Sequence, residues 1–188
     1  MNYKKVYKEM FSIQNYNSDH SVSYSLATKF LKEIESTNEI STISDIGSGK
    51  GHLIKRLPTE KKIYSYDLQN FLDKELKNKV TFSHLDLSDA TSLNKITKTD
   101  ILFCLDVLEH LEEKYVEQVL RRFSKSCDFC FLTIANHSDI IGGVELHLIQ
   151  EGKEYWSSKI SKYFDILSIE SEYNNRLIIY GLRSSSGE

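Results

Sequence analysis

Ile43-Ser-Asp-Ile-Gly-Ser-Gly-Lys-Gly51 is the stretch whose reading decides the fold. A short apolar run ends in Asp45, and glycines follow at the alternate positions 47, 49 and 51. Glycine has no Cβ, so such a loop turns sharply and brings its backbone close to a ligand. His52–Leu57 then reads as the start of a helix, whose unpaired N–H groups face the same ligand. Strand, glycine-rich turn and helix in that order open an α/β nucleotide-binding unit.

Outward from this loop, apolar runs alternate with amphipathic stretches. The runs are Thr42–Ile46, Lys62–Tyr66, Val80–Leu85, Ile101–Leu105 and Phe129–Ile134. The clearest helix between them is Glu112–Ser126, where Val116, Val119, Leu120 and Phe123 share one face. Such alternation predicts a parallel sheet covered on both faces. The end of the chain breaks the pattern. Glu154–Tyr163 reads as a helix, and Phe164–Ile169 and Leu177–Leu182 as two strands joined only by Glu170–Arg176. So short a link predicts an antiparallel hairpin, because a parallel crossover needs a dozen or more residues. Upstream of the sheet, Val22, Leu26, Phe30, Leu31 and Ile34 share a helical face after a candidate cap at Asp19. The expected organisation is a helical cap over 1–40, the main domain over 41–183 and a flexible tail over 184–188.

At 188 residues the chain suits one domain, and 40% hydrophobic residues with 11% aromatics supply its core. Its 24 basic and 27 acidic residues leave a net charge of −3, which argues against bulk attraction to nucleic acid or to an anionic membrane. No run approaches the ~18 apolar residues of a membrane span. Cys104, Cys127 and Cys130 are too few for a disulfide framework. Cys127-Asp-Phe-Cys130 continues into Phe131, Leu132 and Ile134, which reads as a buried strand and not as half a zinc site. A reduced, cytoplasmic protein is the expectation.

Two further acids give the glycine loop its meaning. Asp67 closes the second run twenty positions after Gly47, at an expected exposed strand end, where doubly wound folds hold ribose hydroxyls. Asp86, in Ser83-His-Leu-Asp-Leu87, ends the third run and suits an adenine amino group. A dinucleotide loop starting at Gly47 needs glycine at position 52, which is His52 here. An adenosyl ligand without a pyrophosphate therefore fits better than NAD.

DIGSGKG (Asp45–Gly51), Asp67, LDL (Leu85–Leu87) and DVLEHL (Asp106–Leu111) together resemble the ordered motifs of the class I, Rossmann-like S-adenosylmethionine-dependent methyltransferases, over about residues 40–183. The resemblance implies an α/β, doubly wound seven-stranded sheet with its last strand antiparallel, here with a helical N-terminal extension. It implies S-adenosyl-L-methionine as cofactor and S-adenosyl-L-homocysteine as product. Carried over by motif, Asp45, Gly47, Ser48, Gly49 and Gly51 would line the methionine end, and Asp67 with Leu68 the ribose. Asp86 and Leu87 would read the adenine, and Leu105 and Asp106 would border the methyl group.

Methyl transfer is chiefly the cofactor's chemistry; the protein positions the acceptor and supplies a base where that acceptor is a hydroxyl. His147 and His110 are the candidate bases, with Gly142-Gly143 giving the His147 loop freedom to fold over the sheet edge. Glu145–Trp156 also resembles an HLI…W stretch of some bacterial and phage methyltransferases from glycan loci. His20, Tyr24 and Trp156 are candidate acceptor contacts. The expected acceptor is an oxygen or nitrogen of a small polar metabolite: a sugar, a nucleotide-linked compound or a glycan precursor. The alternatives are a nucleic-acid (RNA end) or protein methyltransferase, and an inactive cofactor-binding regulatory module. Asp106, Glu109, His110 and His147 also resemble the acid–acid–histidine plus histidine metal site of small-RNA 3′-end methyltransferases. The first position there is normally glutamate, and no metal is expected.

Overall fold

The computed structural model describes residues 21–173 and 177–185. Helix α1 spans Val22–Glu35 and is capped by Ser21, whose side chain accepts from the Ser23 amide at 3.3 Å. The cap falls at Ser21 because that residue has the extended backbone (ψ 130) a capping residue needs. Asp19 and His20 lie outside the described residues.

Five strands then run parallel: β1 (Thr42–Ile46), β2 (Lys62–Asp67), β3 (Thr81–His84), β4 (Thr99–Leu105) and β5 (Cys127–Ala135). A one-turn helix α2 (Ala90–Leu93) precedes β4, and α3 (Glu113–Ser124) links β4 to β5. Beyond β5 a small flap of β6 (Ile140–Ile141) and β7 (Val144–Glu145) leads to α4 (Lys153–Ile160). The chain closes with β8 (Phe164–Glu172) and β9 (Leu177–Ser184), an antiparallel hairpin as its short link predicts. β9 inserts antiparallel beside β5, giving a seven-stranded sheet in the order β3-β2-β1-β4-β5-β9-β8.

The central strands are apolar on both faces because both are covered. Ile101, Leu102, Phe103 and Cys104 of β4 are fully buried. On one face α3 contributes Val116, Val119, Leu120 and Phe123, and α4 contributes Trp156 and Ile160. Each such side chain stabilises the fold by ~1.5–3 kcal/mol. On the other face Ala27, Phe30 and Leu31 of α1 pack with Ile43, Phe103 and Phe131, the Phe30 and Phe131 rings 5.1 Å apart. The helix of the expected cap thus shares the core of the sheet.

The expected helix after the glycine loop shrinks to one 3-10 turn, Ile54–Arg56. Pro58 ends that turn: its ring disfavours helical backbone at Leu57, which is extended (ψ 151). Between β2 and β3 there is likewise no helix, and Leu72 and Leu76 cover the sheet from turns. Cys127 and Cys130 sit in β5 as expected of a buried strand, and all three cysteines are free. Ser184 and Ser185, the start of the expected tail, are tied down: Ser184 Oγ donates to the Cys127 carbonyl at 2.6 Å and the Ser185 amide to the Tyr163 carbonyl at 3.2 Å. Among the described residues no helix is long and apolar enough to cross a membrane. The strand order reverses between β1 and β4, so the crevice of the fold opens at their carboxyl ends.

Candidate active site

A cavity of about 300 Å³ opens at that crevice. Gly47, Ser48 and Gly49 form one wall. Asp67 and Leu68 follow from the end of β2, Asp86 and Leu87 from beyond β3, and Leu105 and Asp106 from the end of β4. Tyr24 of α1 lies across it.

The loop is held by its backbone. The Gly47 and Ser48 amides both donate to the Tyr66 carbonyl, at 2.8 and 3.1 Å, and the Gly49 amide donates to Asp67 Oδ2 at 2.8 Å. Gly47 has φ +72, and a Cβ there would stand 2.4 Å from Val107 Cγ2. Only glycine suits that position. Asp86 Oδ1 accepts from the Ser88 amide at 3.0 Å and from Ser88 Oγ at 2.6 Å, which fixes the turn that presents Leu87.

Asp106 is the strained residue of the site, with φ 54 in the left-handed region. Its carboxylate is clamped on both oxygens: Thr133 Oγ1 donates to Oδ1 at 2.7 Å and Ser23 Oγ to Oδ2 at 3.0 Å. Ser23 thereby ties α1 to the end of β4. A second recess of about 460 Å³ is lined by Ser23, Asp106, His137, Tyr173 and Leu177. Asp106 and Ser21 line both spaces.

Burial governs the charges. It pushes the Asp45 carboxyl up to about 7, helped by the negative charge of Asp67. It also raises Asp67 against the bond from Gly49, and Asp106 against the bonds from Thr133 and Ser23. Glu109 is raised well above the carboxylate range by burial and by the nearby Asp106 charge. His110 is pushed down to about 4 by burial and by the neighbouring His147 imidazole, so it is neutral at neutral pH.

The two candidate bases occupy different depths. His110, in the 3-10 turn Leu108–His110, lines the cavity, and its Nδ1 donates to the Leu146 carbonyl at 2.9 Å. His147 does not line it. It is buried, its ring 4.8 Å from that of His110, with Nδ1 donating to the His137 carbonyl at 2.6 Å. Its loop is fixed and not free: Gly142 and Gly143 (φ 59 and 78) make the tight turn of the β6–β7 flap. Glu145 Oε1 accepts from the Asp139 and His147 amides at 2.8 and 2.9 Å. Glu109 joins the two imidazoles, one potential ligand atom of each lying within 4.8 Å of the others.

Trp156 is 0% exposed in the core under α4, away from the cavity, so its expected acceptor contact gives way to a packing role. Asp45 and Gly51 are buried and do not line the cavity either. Leu111, Glu112 and Tyr115 do line it. Sequence reasoning passed over them; their signal was their place directly after DVLEHL, where α3 begins at the carboxyl edge of β4.

No family profile matches the sequence, and no curated protein does. Solved structures do match in shape. An S-adenosylmethionine-dependent methyltransferase from Clostridium acetobutylicum superposes with a TM-score of 0.70 at 13% identity, over 98% of this chain and 99% of that one. The N-methyltransferase NodS from Bradyrhizobium japonicum, in complex with S-adenosyl-L-homocysteine, gives 0.69 at 12% identity over 97% of each chain. Magnesium protoporphyrin IX methyltransferase from Synechocystis, also with that product bound, gives 0.68 at 16% identity over 97% of this chain and 94% of that one. The chain has the fold of the class I S-adenosylmethionine-dependent methyltransferases.

Proposed function

We propose that the chain is an S-adenosylmethionine-dependent methyltransferase acting on an oxygen or nitrogen of a small polar acceptor, such as a sugar, a nucleotide-linked compound or a glycan precursor. One observation carries the reading: the glycine loop, Asp67 and the Asp86–Leu87 turn line a single cavity in order along the ends of β1, β2 and β3. In this reading Gly47, Ser48 and Gly49 receive the methionine end and Asp67 and Leu68 the ribose. Asp86 and Leu87 receive the adenine, and Leu105 and Asp106 border the sulfonium methyl. Asp45 acts on the same end only through its charge, from inside β1. The protein's part is to orient the acceptor for in-line attack. His110 at the cavity wall is neutral and placed to accept a hydrogen bond from an acceptor hydroxyl and so orient it, its lowered pKa making it a weak base, while His147 supports it as a positioning residue. The product-bound relatives in fold support the choice of cofactor. Three buried, unpaired cysteines support a reducing, cytoplasmic setting.

Calorimetric titration tests the cofactor. S-adenosylmethionine and S-adenosylhomocysteine should bind and NAD should not; NAD binding without a response to either adenosyl ligand overturns the reading. Slow conversion of the cofactor to its demethylated product then separates an active enzyme from an inert binding module.

A further inference from the structure

We infer that Asp106 is a specificity-determining residue, whose carboxylate favours the cationic methyl donor over its neutral product. The inference rests on the methyltransferase reading and gives one residue of that site a further role. S-adenosylmethionine carries a sulfonium cation. S-adenosylhomocysteine carries an uncharged thioether in its place and lacks only the methyl group.

The Asp106–Val107 turn lies against the glycine loop, close enough that Val107 Cγ2 would stand 2.4 Å from a Cβ at Gly47. Asp106 therefore borders the same part of the cavity as the loop that the reading assigns to the methionine end. Its left-handed backbone, φ 54, persists only where the surroundings over-determine it. Thr133, 0% exposed in β5, does so through three bonds. Its carbonyl accepts from the Asp106 amide at 2.9 Å; its Oγ1 accepts from that amide at 3.1 Å and donates to Asp106 Oδ1 at 2.7 Å. Ser23 Oγ holds Oδ2 at 3.0 Å.

Both clamps are neutral hydroxyls. They favour the ionised carboxyl against the effect of burial, and they leave its charge uncancelled. Among the described residues no lysine or arginine forms an ion pair with it. The cavity lining leans the same way, with Asp67, Asp86, Asp106 and Glu112 set against Lys50. Asp67 is engaged by the Gly49 amide and Asp86 by Ser88, at the ends assigned to ribose and adenine. That leaves Asp106 as the carboxylate for the sulfur. A cation beside a half-buried carboxylate is attracted more strongly than in water, and a thioether in the same place is not.

Calorimetry on the full chain reads the preference as the ratio of the two dissociation constants. Asp106→Asn keeps the shape and tolerates left-handed backbone. It should lower the preference for S-adenosylmethionine over S-adenosylhomocysteine at least ~10-fold relative to the wild type. Asp106→Gly, which suits that backbone better still, should do the same and covers a failure of the first variant to fold. Because both ligands meet the same folded fraction, a merely structural loss lowers both affinities and leaves their ratio unmoved. Asp86→Asn removes a carboxylate from the adenine end and should keep the ratio within about twofold. An unchanged ratio in both Asp106 variants overturns the role of Asp106, and an equal shift in Asp86→Asn overturns its assignment to this one residue. A wild type that binds neither ligand overturns instead the methyltransferase reading beneath it.

Discussion

Asp67 Oδ2 accepts a hydrogen bond from the Gly49 amide at 2.8 Å, so the acid at the end of β2 holds the glycine loop before any ligand arrives. The carboxylate expected at an exposed strand end is half-buried instead, and burial raises its pKa while the Gly49 bond opposes the rise. One side chain shapes the loop and faces the cavity that the loop encloses.

Asp67→Ala should weaken binding of the adenosyl cofactor by ~1.5–3 kcal/mol, the worth of hydrogen bonds to a charged acceptor. It should also lower the melting temperature of the ligand-free protein, because the Gly49 amide loses its acceptor. Asp67→Asn keeps an acceptor oxygen and should recover the melting temperature but not the affinity. Calorimetry beside thermal melts decides it; unchanged affinity in both variants would mean that ribose is held elsewhere.

Gly47→Ala meets two obstacles, the left-handed backbone at φ +72 and Val107 Cγ2 at 2.4 Å. Backbone strain of this kind costs ~1–3 kcal/mol. Product affinity should fall with stability in chemical denaturation. Adding Val107→Ala should recover the steric part and leave the backbone part. Full recovery in the double variant would show that the backbone conformation at residue 47 is not required.

Asp45 makes stability depend on pH. Its folded-state pKa of about 7 lies above the ordinary 3.8, so the native state holds the proton more tightly than the unfolded chain. The stability contributed by Asp45 is therefore full below about pH 4, falls as pH rises towards about 7, and is gone above that. The span is on the order of 4 kcal/mol at most. Asp45→Asn should flatten this part of the curve and raise stability on the alkaline side. Urea denaturation at mildly acidic and mildly alkaline pH reads both; parallel curves for the two proteins would mean that Asp45 is ionised in the fold.

Trp156→Ala should cost ~3–5 kcal/mol, the usual loss for a large buried aromatic. Trp156→Phe should fold better, since the indole N–H is buried without an acceptor among the described residues. In that variant both cofactor affinity and the Michaelis constant for an acceptor should stay within about twofold. A Michaelis constant raised tenfold at unchanged stability would return Trp156 to the acceptor site.

The sheet was legible in the sequence because central parallel strands are apolar on both faces, and runs such as Ile101–Leu105 stand out against their flanks. The terminal hairpin was legible because Glu170–Arg176 is too short for any other connection. Strand-end acids were legible for the same reason: a strand's end fixes which edge of the sheet a residue reaches. Depth was not. His110 and His147 both follow strand ends, but which one faces the cavity depends on the carbonyls of Leu146 and His137, set by the flap's own turn. Trp156 was misplaced similarly, since helical spacing does not say which neighbour a face meets. The stop at Leu57 was readable from Pro58.

The clamp of Ser23 on Asp106 bears on how the cavity can open. One end of α1 holds Ser23 on the carboxylate and Tyr24 across the cavity, while Ala27, Phe30 and Leu31 further along are anchored in the core. The whole helix cannot swing away cheaply; only its first turn can peel. Opening of the cavity at this end is then coupled to the breaking of the Ser23–Asp106 hydrogen bond. Opening at that turn would release Ser23 and Tyr24 together, because both ride on the first turn of one anchored helix.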